Sequence, residues 1–174
     1  MSEVRLETER VHLRPLRTAD IEEFIALSED PEIARFVKAL DRPQAEERLR
    51  AIAREWRERG HGIFAVLHRG DRRFLGRLGL SYWPQFGETE VGWVLRRDAW
   101  GRGYASEAAR AILDWGFEAL PAPYFTAMIA PDNERSIRVA RGLGLSPLRR
   151  DVLNGTAVVV YAVTRERWSG AAGG

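Results

Sequence analysis

Trp100-Gly101-Arg102-Gly103-Tyr104-Ala105-Ser106-Glu107-Ala108 marks the point where the chain changes period. Upstream, Glu88 to Leu95 reads as a strand, apolar for most of its length from Glu90 onward. Downstream, Tyr104 to Leu120 carries apolar residues at helical spacing on most faces and reads as a buried helix. A strand, a short glycine loop and a helix start together make a place for a phosphate. The first amides of a helix have no intrahelical acceptor, and the helix dipole adds partial positive charge there. Gly101 and Gly103 carry no Cβ, so a diphosphate can approach the main chain closely. The plainer alternative is a tight strand-to-helix turn with no ligand.

Working outward, Arg10 to Pro15 alternates and reads as an edge strand. Thr18 or Asp20 caps a helix running to about Ser28. A short helical stretch follows at about Glu32 to Phe36. Arg42-Pro43 opens a longer helix, with Leu49, Ile52, Ala53 and Trp56 on one face, that Gly60 ends. Gly62 to Arg69, Phe74 to Trp83 and Glu88 to Leu95 form an antiparallel meander with turns at Gly70-Asp71 and Pro84 to Gly87. After the central helix, Tyr124 to Ile129 is a strand and Asn133 to Leu143 a helix with Gly144 at its end. A hairpin, Leu148 to Leu153 and Thr156 to Thr164 around Asn154-Gly155, closes the chain. The order β-α-α-β-β-β-α-β-α-β-β predicts an α/β fold. It has a mixed, mainly antiparallel sheet of about seven strands flanked by about four helices. One domain over residues 1–168 and a flexible tail over 169–174 are expected.

Composition excludes several classes. The chain has 174 residues, 45% hydrophobic and 30% charged, as expected of a globular domain. It contains no cysteine, so disulfide and thiolate chemistry are absent and a cytoplasmic home is the simplest expectation. No run is long enough to cross a bilayer, and Met1-Ser2-Glu3 does not begin a signal-peptide pattern. Formal net charge is only +2. The arginines alternate with acids, as in Glu46 to Arg59, which reads as a solvated, ion-paired face and not a nucleic-acid patch. His12, His61 and His68 lie on separate segments, and no spacing suggests a metal site.

The order of elements, with the glycine loop after the fourth strand, resembles the GNAT superfamily of acetyl-CoA-dependent N-acetyltransferases. The superfamily loop reads Gln/Arg-x-x-Gly-x-Gly/Ala. Here its second half fits, and Trp100 replaces the first position. Trp-Gly-x-Gly-Tyr-Ala-x-Glu-Ala resembles the branch that includes ribosomal-protein N-terminal (alanine/serine) acetyltransferases. Val11-His12-Leu13-Arg14-Pro15-Leu16 is similar to that branch's first strand. Asn133-Glu134-Arg135-Ser136, followed by Gly142-Leu143-Gly144-Leu145, is similar to its Asn-x-x-Ser…Leu-Gly-Phe segment.

The resemblance implies acetyl-CoA as co-substrate, with coenzyme A between splayed strands four and five and no metal. Its pyrophosphate would rest on the amides of Trp100, Gly101, Arg102, Gly103, Tyr104 and Ala105. The pantetheine arm would pair with the backbone of Trp93, Val94 and Leu95, and Arg97 and Arg102 would add charge near the phosphates. Asn133 would bind a pantetheine amide and Ser136 would point its hydroxyl at the sulfur. Their simpler roles are helix N-cap and first-turn residue. An amine is mostly protonated at neutral pH, so a base is needed. Glu90, beside Val91-Gly92-Trp93, is the candidate, with Glu88 in reserve. A solvent-facing glutamate, or a neighbour of Arg77, is the alternative for Glu90. A backbone amide near Val94 or Leu95 would serve the acetyl oxygen.

The acceptor site is expected from the first two helices and the last hairpin, with Phe36, Tyr82, Trp83, Trp93 and Tyr161 as candidate lining. The resemblance implies a primary amine acceptor, a protein N-terminal α-amine first. An antibiotic, polyamine or amino-acid-like amine is the alternative. A non-catalytic acetyl-CoA-binding sensor is the reading of another class. No nucleic-acid or membrane partner is expected, and a homodimer is compatible with this reading.

Overall fold

In the computed structural model, which describes residues 2–171, strand β1 (Leu6–Glu7) pairs with β2 (Val11–Pro15). A 3-10 turn then leads into α1 (Ile21–Glu29), α2 (Pro31–Ala34) and α3 (Arg42–Arg59). The meander is β3 (Ile63–His68), β4 (Phe74–Trp83) and β5 (Glu88–Leu95). It is followed by α4 (Tyr104–Ala119), β6 (Tyr124–Ile129), α5 (Glu134–Gly142), β7 (Ser146–Leu153), β8 (Thr156–Thr164) and α6 (Arg165–Ala171). The strands form one sheet in the order β1-β2-β3-β4-β5-β6-β8-β7.

Local chemistry sets the element ends. Asp41 caps α3 by accepting from the Gln44 amide, Gln44 returns a bond to the Asp41 amide, and Pro43 takes the first turn. Gly60 closes that helix in the left-handed region at φ 72°. Asn154 and Gly155 both have positive φ, 51° and 79°, the backbone that a two-residue hairpin turn requires. On the buried face of α4, Ala108, Ala109, Ile112, Leu113 and Phe117 pack against Leu78, Leu80 and Val91 of the sheet. The opposite face of the sheet carries a second apolar layer. Phe24 and Leu27 of α1 and Leu49 and Ile52 of α3 cover Ile63, Ala65 and Phe74 there.

The described residues hold eight strands and six helices where about seven and about four were expected. The additions are elements that periodicity cannot reveal. β1 is two residues long, whereas the short stretch expected at about Glu32 to Phe36 is present as the single turn α2, capped by the Asp30 side chain. Tertiary bonds fix α6: Arg165 donates to the carbonyls of Phe117, Leu120 and Ala122, and Trp168 donates to Asp114. α6 carries Ser169, Gly170 and Ala171 into the stretch expected as a tail. Residues 172–174 of that stretch lie outside the described residues.

One junction positions the site. Every strand pair is antiparallel except β5 with β6, which are parallel and share a single matched pair, Glu90 with Thr126. β5 is laddered along its length to β4, and β6 along its length to β8. Beyond Glu90 and Thr126 neither strand follows the other, and a wedge opens between them.

Candidate active site

The wedge continues into a cleft of about 330 Å³. Trp93, Val94 and Leu95 of β5 line one wall, the Trp100–Ser106 loop and helix start close one end, and Asn133, Ser136 and Val139 line the α5 wall. Ile33, Phe36 and Val37, around α2, form its roof. A cleft with apolar walls and a few convergent polar groups is the usual form of a small-ligand site.

The loop keeps the conformation that only glycine adopts readily. Gly101 and Gly103 sit at φ 72° and 80°. A Cβ at Gly101 would meet nothing within 4 Å, so the space outside the loop is open. Gly103 is the N-cap of α4 and supplies no side-chain acceptor to the first-turn amides. Arg10 holds the loop from behind. It donates to the Arg102 carbonyl (2.9 Å), pairs with Glu107 (2.8 Å) and stacks on the Tyr104 ring. Because the peptide is trans, the Gly103 amide points away from Arg10.

Trp100 explains its own departure from the superfamily pattern. Its indole Nε1 donates to the Leu95 carbonyl (2.9 Å), tying the loop to the end of β5, and the Arg135 guanidinium lies 3.4 Å above its ring. Its amide, expected to face phosphate, instead donates to the Arg97 carbonyl (3.1 Å). Val94 also departs from expectation. Its carbonyl is turned against Gly76 of β4, so the edge of β5 facing the wedge belongs to Trp93 and Leu95.

Two expected arginines are elsewhere. Arg97 forks onto Asp30 at the end of α1 (2.9 Å), and Arg102 is exposed; neither lines the cleft. Arg135 and Arg138 line it instead, three residues apart on one face of α5. That spacing was visible in the sequence, but only the crossing of α5 over the loop shows where the two arginines point. Diphosphate fits these residues: open space outside Gly101, first-turn amides with no cap, and two arginines at the mouth.

The two acidic candidates have opposite surroundings. Glu90 accepts from the Met128 amide (2.8 Å) through one oxygen and from the Trp83 indole (3.0 Å) through the other, inside the wedge. Burial pushes its carboxyl above the ordinary glutamate range, and those donors with the charge of Arg77 pull back only part of the way. Glu88 is buried in a structural pair. Arg149 forks onto it and Tyr124 donates to it (2.9 Å), which holds its carboxyl below the usual range. So engaged, Glu88 is not placed to take a substrate proton.

Glu88 and Arg149 yield a stability prediction. Arg149→Met leaves a carboxylate buried with one hydroxyl for company. Arg149 is a third exposed, so water offsets part of the loss, and we expect about 2 kcal/mol of destabilisation. That corresponds to a melting point about 4–8 °C lower. Because pairing lowers the folded-state value of Glu88, its contribution is present above the unfolded-chain value and lost as pH falls. The gap between variant and wild type should therefore close in acid, and thermal melts from pH 7 to 3.5 check both parts.

Ser136 accepts the Trp93 indole hydrogen (3.3 Å), and Asn133 caps α5 by accepting the Ser136 amide (3.3 Å). Among the acceptor candidates, Phe36 and Trp93 line the cleft. Tyr82 lies under the Arg59 guanidinium (3.9 Å), and Trp83 is engaged with Glu90. Tyr161 is a correction: it is 4% exposed in the core beneath α4, because inward positions of β8 are filled by core side chains. The described residues contain no group of His, Cys, Asp and Glu that could hold a metal ion and no helix long and apolar enough to cross a membrane.

The family model described as an acetyltransferase (GNAT) domain matches residues 10–146, from β2 to the start of β7. This chain is a GNAT acetyltransferase. It is 35% identical to the uncharacterized protein YkkB of Bacillus subtilis (strain 168) over 152 residues, 83% of this chain and 86% of that one. The solved acetyltransferase from Agrobacterium tumefaciens str. C58 superposes with a TM-score of 0.82 at 32% identity, covering 94% of this chain and 95% of that one. A ribosomal-protein-S5-alanine acetyltransferase from Vibrio fischeri shares the fold, with a TM-score of 0.78 at 19% identity over 95% and 99% of the two chains. Enzymes of this family use acetyl-CoA as donor and an amine as acceptor.

Proposed function

We propose that this acetyltransferase acts on a primary amine, a protein N-terminal α-amine first, with Glu90 as general base. The observation that carries the reading is the placement of Glu90. It is a carboxylate of raised proton affinity, held through both oxygens on the strand that forms one wall of the donor cleft. Two donors fix its orientation and leave lone pairs for a bridging water or the amine itself.

The donor side follows from the cleft. When bound, acetyl-CoA supplies an activated acyl carbonyl and a thiolate leaving group. The amides at the start of α4, with Arg135 and Arg138, hold its diphosphate. The edge of β5 at Trp93 and Leu95 takes the pantetheine arm. Asn133 uses its Oδ1 as a cap, which leaves its NH₂ to bind an amide carbonyl of that arm. Ser136 accepts from Trp93, so its own hydroxyl hydrogen is left to donate to the sulfur.

Isothermal calorimetry with coenzyme A, then free-thiol release from acetyl-CoA against N-terminal peptides and small amines, tests the whole reading. No uptake, or uptake with no amine consumed, ends it. Gly101→Ala and Gly103→Ala should each lower stability by about 1–2 kcal/mol, because an L-residue is strained at positive φ. The loop should then shift and coenzyme A affinity fall by at least about tenfold, a loss of about 1.4 kcal/mol.

A small-molecule acceptor is the second reading. A single half-buried charge without a partner, on the acceptor side of the sheet, favours it.

A further inference from the structure

That charge is Arg77. It sits mid-way along β4, opposite Ala65 of β3 and Val94 of β5, and so projects toward the layer under α1 and α3. Glu90, opposite Ser81, projects to the same side. The Arg77 guanidinium carbon lies 5.8 Å from the Phe24 ring, in apolar surroundings.

The protein pairs its other half-buried arginines. Arg10 meets Glu107, Arg14 meets Asp20, Arg149 meets Glu88, and Arg165 meets three backbone carbonyls. Arg77 has no ion pair and no hydrogen bond with any described residue; Glu90, the acid whose charge reaches it, is held by Met128 and Trp83. Burial and the like charge of Arg48 pull its proton affinity down, to a pKa of about 10, so it remains a cation at neutral pH. Arg77 is half-buried, and its partly desolvated guanidinium, with all its N–H donors unused by the protein, is open to an anion.

A place for one exists. Arg77 lines a small cavity of about 20 Å³ with Phe24, Leu40 and Ser28. The Ser28 hydroxyl already donates to the Ile25 carbonyl and accepts the Leu40 amide, so Arg77 is the one charged donor of the lining. Val37 and Val94 line both this cavity and the main cleft, so the two adjoin. The volume takes one water-sized group, the size of a single carboxylate oxygen.

The geometry points to Arg77 as the residue that selects the acceptor, by binding a carboxylate carried on the same molecule as the reacting amine. This rests on the transferase reading with Glu90 as base. The substrate class is an amine with a nearby carboxylate: a free amino acid, or a peptide whose first side chain is acidic. A guanidinium binds a carboxylate through two parallel N–H bonds, which would fix the amine's approach to Glu90.

The test uses the full chain, acetyl-CoA and matched pairs of acceptors, read by thiol release. One arm pairs free amino acids with their amides; the other pairs Asp-first and Glu-first peptides with their Asn-first and Gln-first partners. In at least one arm the acid should exceed its neutral partner by roughly 10–100-fold in kcat/KM. Arg77→Met should erase that ratio, mainly through KM, with coenzyme A affinity unchanged. Arg77→Lys should keep part of it. Equal rates for acid and amide, or a preference that survives Arg77→Met, overturn the proposal while transferase activity stands. Were Arg77 only an electrostatic partner of Glu90, Arg77→Met would move the pH profiles of both partners alike and no acid preference would exist; that result also overturns it.

Binding without turnover provides a second readout. N-acetyl amino acids should raise the melting temperature of wild type but not of Arg77→Met, and their amides should raise neither. That shift in a protein that consumes no amine upholds Arg77 and ends the catalytic reading. With neither shift nor turnover, both fall.

Discussion

Glu90→Gln is expected to lower acetyl transfer by about 10²–10⁴-fold, the usual worth of a general base, with coenzyme A affinity unchanged. Gln keeps the volume and one acceptor oxygen, so either the Trp83 or the Met128 bond persists and the wedge keeps its shape. What disappears is proton acceptance. The amine arrives mostly protonated at neutral pH, and the variant has nothing at that place to relieve it. A fall of less than tenfold in single-turnover rate would remove Glu90 from the reaction.

The same residue fixes a pH dependence. Burial raises the Glu90 carboxyl above its ordinary range, so the wild-type rate should rise with pH through an apparent value above that of an exposed glutamate. Glu90→Gln should lack that limb. The stability effect runs the other way. A folded-state value above the unfolded one means that the folded protein binds this proton more tightly. The contribution is complete below the unfolded-chain value and declines as pH climbs through the folded one. A working base at neutral pH therefore costs the fold some stability, a common feature of catalytic groups. pH–rate profiles of kcat/KM for both proteins check the first statement, and melting curves across the same range check the second.

The donor cleft was legible because its parts are local. A strand, two glycines and a helix start lie within about twenty residues, and backbone sterics alone explain why Gly101 and Gly103 stand there. What could not be read joins distant segments. Arg97, expected near the phosphates, is held by Asp30, far earlier in the chain. Arg135 and Arg138 line the cleft because α5 crosses the loop, a placement that local sequence does not encode. Arg77 interrupts an apolar run, Phe74 to Leu80, and period-2 alternation marks it only as facing the other way from Leu78. Whether that face meets water or a covered layer depends on α1 and α3. Tyr161 failed for the converse reason: an aromatic in a strand is more often core than site.

The glycines of β4 mark where neighbouring strands come closest, and the second large effect is expected there. A Cβ on Gly79 would stand 2.3 Å from the Gly62 carbonyl oxygen and 2.6 Å from the Ile63 Cα. A Cβ on Gly76 would stand 2.3 Å from the Val94 carbonyl oxygen, at a φ of 152° that L-residues rarely adopt. Both obstacles are main chain, so no rotamer change relieves them and the strands themselves must part. Gly79→Ala should cost about 3 kcal/mol or more, at the upper end for overpacked sites. That lowers the melting temperature by about 6–12 °C. Gly76→Ala should match it, and should also weaken coenzyme A, because Val94 and Leu95 on the cleft wall would move. Gly142→Ala is the control. A Cβ there meets nothing within 4 Å, the residue is helical, and alanine should be neutral or stabilise by up to about 1 kcal/mol. If Gly79→Ala melts with the wild type while Gly142→Ala behaves as stated, the close approach of β3 to β4 is not real. The register that aligns Arg77 with Ala65 of β3 would then have to be redrawn.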